Sequence, residues 1–278
     1  MTNNWILIAL LPPILFSATI YLDKFVVDKY FKGAGGLTIF ASFIKLLAAA
    51  VVFLLPFTKV ELLPLRESLL IMLGGALLTY YILPYYKAIS LRDASEVTPL
   101  FQMGPAMSLV FSFQLLKETI HGIQYVGMLL IILGALTVSA VSLKRMFHPS
   151  LVLFYMAIST LGFNLAIVLF KFVYLSSSFW TAFFYQNIGG ALAGVSLMLI
   201  PHYRKELVSL VKTVGPKVGA VMLVSGGIDR GAESLYNLAT TLAAVPLVSM
   251  VTATQPFFIV LFGTLLTIFS PQLIKEDI

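Results

Sequence analysis

From Trp5 to Leu22 the chain reads WILIALLPPILFSATIYL without a single charge, and apolar runs of similar length recur to the end. About 18 to 20 apolar residues wound as a helix span the roughly 30 Å of a bilayer's hydrocarbon. Marking each run predicts nine spans: 5–22, 37–57, 69–86, 97–116, 122–142, 151–170, 178–200, 218–238 and 245–268. The intervening segments are short. Only DKFVVDKYFKGAGG and PHYRKELVSLVKTVGPK are long enough to run along the membrane interface. The pattern predicts an all-α membrane protein, a polytopic helical bundle with no soluble domain inserted in it.

Composition agrees: 59% of the residues are hydrophobic and 11% charged, against about 25% charged in soluble proteins. The first run follows Met1, Thr2, Asn3 and Asn4, which offer no basic leader and no cleavage motif, so it is expected to stay as a helix. The chain has no cysteine, and His121, His148 and His202 are far apart, so neither a metal nor a cofactor is expected. The net charge of +6 sits mostly in short loops beside the spans, where basic residues anchor and orient helices. Nucleic acid is therefore excluded as a partner, and membrane lipid is the expected surrounding. Loops after odd-numbered spans hold twelve Lys and Arg against four after even-numbered ones, which places the amino terminus outside.

Internal similarity organises the spans. ILFSATIYLDKF from Ile14 lies over LGFNLAIVLFKF from Leu161 at an offset of 147, pairing Phe16 with Phe163 and Lys24 with Lys171. YYKAISL from Tyr85 lies over LYNLATT from Leu235 at an offset of 150, and MGP ending at Pro105 over TQP ending at Pro256 at 151. Slowly growing offsets are what duplication with small insertions leaves. A five-helix unit has an odd number of crossings, so its copy enters the membrane inverted, as in many secondary transporters. The expected units are 1–145 and 146–278, two inverted five-helix repeats. The second shows four helices, so a tenth is expected in the complete protein.

The stretch YKAISLRDASEVTPLFQMGPAMSLVFSFQLLKETIHGIQYVGMLLIILGALTVS resembles the EamA domain of the drug/metabolite transporter superfamily. The likeness lies in its small-residue turn, the proline in its fourth helix, the Glu after that helix and its glycine-bearing fifth helix. The resemblance implies ten helices in two inverted halves around a central cavity, carrying small metabolites by alternating access. It also implies a cytoplasmic amino terminus, against the loop charges, and leaves the substrate open among amino acids, sugars, nucleotide sugars and cationic drugs.

Candidate chemistry concentrates in SGGIDRGAESLYNLAT, where Asp229, Arg230 and Glu233 stand inside an apolar run. A charge at mid-bilayer costs about 2.5 to 3.5 kcal/mol on insertion scales, so it faces a partner or a wet cavity. Arg230 and Glu233 are spaced for an ion pair on one helix face, while Asp229 and Glu233 are spaced to repel, which predicts that one of them holds a proton. A structural ion pair is the competing reading. Lys45 lies roughly 13 Å into the second span; snorkelling, helix anchoring, which the resemblance favours, and substrate contact compete for it. Lys24 and Lys171 are expected as interface anchors or paired gating residues. Tyr80, in TYYILPYY, falls on the repeat position of Arg230 and is expected to line the cavity or the interfacial belt. Gln102 and Gln255 precede Pro105 and Pro256, whose missing amide donors free carbonyls to line polar space. Asn164 and Gln186 join the substrate-binding candidates as neutral hydrogen-bonding groups, with helix-to-helix bonding as the competing role. The spacings Gly190–Gly194 and Gly227–Gly231 predict close helix packing.

The expected function is a secondary transporter, an exporter or exchanger of a small organic metabolite, with protons as the candidate coupling ion, in the cytoplasmic membrane of a prokaryote. A flippase for a lipid-linked substrate, or a transport subunit, would use the same fold and is the alternative. A membrane-embedded enzyme is disfavoured, because no H-E-x-x-H motif is present and no span other than the eighth holds a carboxylate pair.

Overall fold

The computed structural model describes residues 4–30, 33–92, 97–138 and 151–269, and every regular element among them is a helix. In the first half these are α1 (Asn4–Tyr30), α2 (Ala34–Leu54), α3 (Leu65–Tyr80), α4 (Ile82–Leu91), a 3₁₀ turn (Thr98–Met103), α5 (Gly104–Leu116) and α6 (Gly122–Val138). In the second they are α7 (Leu151–Tyr174), α8 (Phe179–Met198), α9 (Pro201–Thr213), α10 (Pro216–Leu242), α11 (Val245–Thr252) and α12 (Gln255–Phe269).

Every expected apolar run is mainly helical where described, with breaks at Tyr81 and at Ala253 and Thr254. Asn4–Val27, Ala34–Leu54, Leu65–Leu91, Leu151–Tyr174 and Val245–Ile268 are long and apolar enough to span a membrane, and α8 with α9 makes a sixth if that bent pair counts as one. The other three are less clear-cut. The fourth and fifth runs form shorter apolar helices, and α10, though 27 residues long, carries the Asp229, Arg230 and Glu233 cluster.

Two boundaries differ from expectation with consequences for the site. The first helix does not end near residue 22; it continues to Tyr30, because DKFVVDKY contains no helix breaker and Val26 and Val27 extend the buried face. Asp23 and Lys24 thereby lie inside a helix instead of in an interfacial loop. The third expected span is broken in two at Tyr81, between α3 and α4. Pro84 explains the break: it offers no amide hydrogen, and its ring clashes with the carbonyl four residues back, at Tyr80. The same cause acts twice more. Pro105 stands just after the 3₁₀ turn and Pro256 just after the break between α11 and α12.

The second long loop, from Pro201, is helix α9, turned by 101° from α8. Its buried face rests on α2, where the Glu206 carboxylate accepts a hydrogen bond from the Gly36 amide at 3.1 Å. A carboxylate there satisfies one of the free N–H groups of the first turn of α2. Gly33, at φ 143°, opens that turn, and a side chain on it would overlap Glu206.

The packing is inside-out relative to a soluble protein. Leu47, Phe53, Leu54, Leu130 and Leu192 are exposed on the outside, whereas Ser17, Thr19, Lys45, Gln102, Asn164, Gln186 and Glu233 are buried within. Small residues allow the helices to meet closely. α8 lies against α2 and α3, and a β-carbon at Gly75, Gly189 or Gly194 would overlap Gln186, Met72 or Ser42 respectively. Gly190 in turn lies under the aliphatic stem of Lys45. The close packing expected of Gly190 and Gly194 is therefore present. That expected of Gly227 and Gly231 is not, since nothing stands within 4 Å of a β-carbon at either.

This contrast yields a paired test. Gly189→Ala forces a methyl into the Met72 backbone and should destabilise by about 1–3 kcal/mol, as overpacking does. Gly231→Ala meets open space and gains helix propensity, so it should leave the melting midpoint unchanged or raised. Thermal melts of both variants in detergent, read by tryptophan fluorescence, measure the difference.

Candidate functional site

Between the helices lie two adjoining cavities, of about 100 Å³ and about 60 Å³. Asp23, Tyr81, Tyr85 and Asp229 line both, so these four form the partition between them. Residues from α1, the Tyr81 break, α4, the 3₁₀ turn, α5, α7, α10, α11 and α12 enclose the larger cavity. The smaller is enclosed by α1, α2, α4 and α10, and takes Lys45 and Arg230 into its wall.

The larger cavity has an aromatic wall centred on Phe163. Its ring packs edge-on against Phe16 at 6.3 Å, Tyr81 at 5.5 Å and Tyr236 at 5.6 Å. Phe16 and Phe163 are the partners paired by the 147-residue offset, and here they touch. Gln102, Asn164 and Gln255 add polar groups to the same wall. The break before α12 serves this region too, since the Gln255 carbonyl lies 3.2 Å from the Ser17 hydroxyl.

The charges are arranged in layers. Arg230 forms an ion pair with Glu233, whose residue is only 1% exposed. The other oxygen of that carboxylate, Oε1, has no hydrogen-bond partner among the described residues. Arg230 lines the smaller cavity, and Glu233 stands behind it, off both. Asp229 lines both cavities and accepts a hydrogen bond from the Thr19 hydroxyl at 2.6 Å. The spacing argument pairs Asp229 with Glu233 as repelling carboxylates. Arg230 neutralises Glu233, and the carboxylate that shares cavity space with Asp229 is Asp23 of α1. Ser225 and Tyr85 hydroxyls stand 3.4 Å from the two Asp23 oxygens.

Lys45, 1% exposed, does not snorkel out. Its ammonium donates to the Leu78 carbonyl and, at 2.8 Å, to the Thr79 hydroxyl, just before the Tyr81 break. It is at once an anchor for that break and part of the wall of the smaller cavity.

Lys24 and Lys171 stand away from both cavities and perform one task in two places. Lys24 donates to the carbonyls of Ile89, at 3.0 Å, and of Arg92, the residue that caps α4. Lys171 donates at 2.7 Å to the carbonyl of Ala243, the residue that caps α10. A cation on free C-terminal carbonyls complements the helix dipole. Lys171 also pairs with Glu118 at 2.5 Å, and Glu118 accepts the Val245 amide at the start of α11.

Besides Glu233 and the two lysines, Tyr80 and Gln186 also fall outside the site. Tyr80 is 39% exposed and its hydroxyl meets Ser196 at 2.6 Å on the outer side; its neighbour Tyr81 is the residue that lines the cavities. The break at Tyr81 resets the helical register, so the repeat offset misplaces the side chain by one. Gln186 is buried away from both cavities and accepts from Asn237 at 3.0 Å, a helix-to-helix bond between α8 and α10. Asp23, Thr19 and Tyr85 were not among the candidates. Their signal was available in part: Phe16, Thr19, Ile20 and Asp23 follow the i, i+3, i+4, i+7 spacing of one helix face, which holds only if the first helix runs past residue 22.

Comparison with known proteins agrees with this architecture. Residues 3–140 match the EamA-like transporter family. Over 72 residues the chain is 40% identical to the uncharacterized protein MJ1333.1 of Methanocaldococcus jannaschii, a stretch that covers 26% of this chain and 48% of that protein. The chain thus spans about half the length of the curated relative it matches. A solved structure described only as "Crystal structure of protein" superposes with a TM-score of 0.55 at 14% identity, covering 100% of this chain and 92% of its own. That likeness concerns the fold alone.

The Arg230–Glu233 pair is directly testable. Arg230→Ala leaves a buried carboxylate uncompensated, which costs about 3–5 kcal/mol, and Glu233→Gln in the same chain should recover much of that loss. A double-mutant cycle on melting midpoints in detergent measures the coupling.

Proposed function

The chain belongs to the EamA-like transporter family, and we propose that it is a secondary transporter, an exporter or exchanger, that moves a small organic metabolite by alternating access. Its place would be the cytoplasmic membrane of a prokaryote. The observation that carries this reading is the pair of adjoining cavities, walled by residues of both halves of the chain and holding charge that lipid would reject.

The inverted-repeat reading, with halves at 1–145 and 146–278, draws support from the contacts. Exchanging elements with their repeat partners relates several of the packed pairs: α1 on α10 becomes α7 on α3 and α4, and α5 on α7 becomes α12 on α1. The pair α2 with α8 maps onto itself, and α5 with α11 becomes α12 with the 3₁₀ turn. The proline breaks agree as well, because α5 begins at Gly104 and α12 at Gln255, the 151-residue offset of the sequence. The capping lysines, Lys24 and Lys171, are a third correspondence.

Coupling to protons is part of the proposal. Asp23 and Asp229 are carboxylates at the partition between the cavities, where taking up or losing a proton changes the charge a solute meets. Arg230 with Lys45 supplies the positive side of the same partition.

The test is uptake and exchange in liposomes across amino acids, sugars, nucleotide sugars and organic cations. A transported solute should lose its uptake with Asp229→Asn, and the remaining exchange should no longer follow pH between about 5.5 and 8. The variant carrying both Arg230→Ala and Glu233→Gln keeps the interior neutral and should fold but transport poorly. If it transports like the parent, Arg230 and Glu233 are a structural pair only.

A further inference from the structure

The larger cavity is chemically one-sided. Asp23 and Asp229 line it, and no Lys or Arg is among the described residues that line it. Gln102 is 5% exposed, lines the same space, and its Oε1 has no hydrogen-bond partner among the described residues. A buried acceptor left over beside two carboxylates calls for a hydrogen-bond donor, and a positively charged one.

The wider charge count points the same way. From α1 Asp23 faces the partition, from α2 Lys45, from α10 Asp229 and Arg230, with Glu233 behind Arg230 and the Tyr81, Tyr85 and Tyr86 hydroxyl-bearing rings around them. Ionised, this set holds three carboxylates and two cations, so one further positive charge balances it. The ring wall around Phe163 offers faces and edges on which a cation's apolar body can rest.

We propose that the larger cavity binds a small protonated amine, its ammonium between Asp23 and Asp229, one N–H on Gln102 Oε1, and its apolar body against Phe16, Phe163 and Tyr236. The proposal rests on the transporter reading, since it names the class of solute the transporter carries. A bare monovalent ion would use the oxygens and leave the rings idle. A carboxylate-bearing solute would meet Asp23 and Asp229 with like charge. An amine uses both features of the cavity.

The experiment is direct binding to the 278-residue chain in lipid nanodiscs, by calorimetry and thermal shift. The probes are phenethylamine, its trimethylammonium analogue, phenylalanine, phenylacetate and sodium chloride. Phenethylamine should bind saturably, and its trimethylated analogue, which lacks the N–H, about tenfold more weakly. Asp23→Asn and Gln102→Leu should each weaken phenethylamine by about tenfold or more, and its binding should weaken as pH falls, because protonated carboxylates no longer attract the ammonium. Phenylacetate and sodium should not bind. Absence of phenethylamine binding, equal binding of phenylalanine or phenylacetate, competition by sodium, or indifference to Asp23→Asn overturns the proposal. Uptake of another solute without amine binding overturns the amine site and keeps the transporter reading. Amine binding without any uptake in liposomes does the reverse.

Discussion

A charge placed in hydrocarbon must be met inside the protein, and this chain meets Arg230 with Glu233 and encloses the pair between helices. The rest of the interior follows from that constraint. A lone Arg230 would have to reach an interface, which would drag α10 along its axis; paired, it allows α10 to lie against α1 with Asp229 turned toward Thr19. Desolvating both members is expensive. Cavity space stands beside Arg230 and Asp229, where water can share that cost, and that space is the candidate site.

Broken helices supply the remaining polar partners. Pro84, Pro105 and Pro256 each stand just past an interruption, where backbone groups leave the regular ladder. Lys45 takes up the Leu78 carbonyl before the first of these, and the Ser17 hydroxyl reaches the Gln255 carbonyl at the last. Helix ends do the same work, with Lys24 on the last turn of α4 and Lys171 on that of α10. Irregular backbone inside a bilayer is tolerated where it faces protein or a polar cavity, so the prolines and the cavities are two sides of one arrangement.

What the sequence made legible divides along this line. Apolar runs fix where helices lie, because the thickness of hydrocarbon fixes their length, and the charged cluster of α10 stands out because little else in the runs is charged. Asp229 and Arg230 were therefore found, along with Gln102, Asn164, Gln255 and Lys45, all of which line a cavity. Asp23 was not. A charge at the end of an apolar run looks interfacial, and only the continuation of α1 to Tyr30 carries it inward. Tyr80 and Tyr81 differ by 100° on a helix, and a proline-induced break decides between them by a tertiary effect that periodicity does not carry. The partnership of Gln186 with Asn237 likewise depends on how α8 lies against α10, a tertiary contact that spacing along either helix does not carry.

On the inverted-repeat reading, the scaffold and the site obey different rules. The capping lysines, the proline breaks and the helix contacts recur in both halves, whereas Lys45, Asp229, Arg230 and Glu233 have no matching charges among the pairings the repeat provides. Alternating access asks the two halves to exchange conformations, so contacts that hold the helices must be available twice. On the proposed function the solute, by contrast, is bound once, at the partition between the two cavities. Duplicating its charges would strand a second set in lipid with no ligand to balance it. Lys45 shows how a single copy is accommodated: its stem crosses α8 at Gly190, where no side chain stands, and its ammonium ends on a carbonyl beside a broken helix. Symmetry in the backbone and asymmetry in the charges are thus the combination that one binding site between two like halves requires.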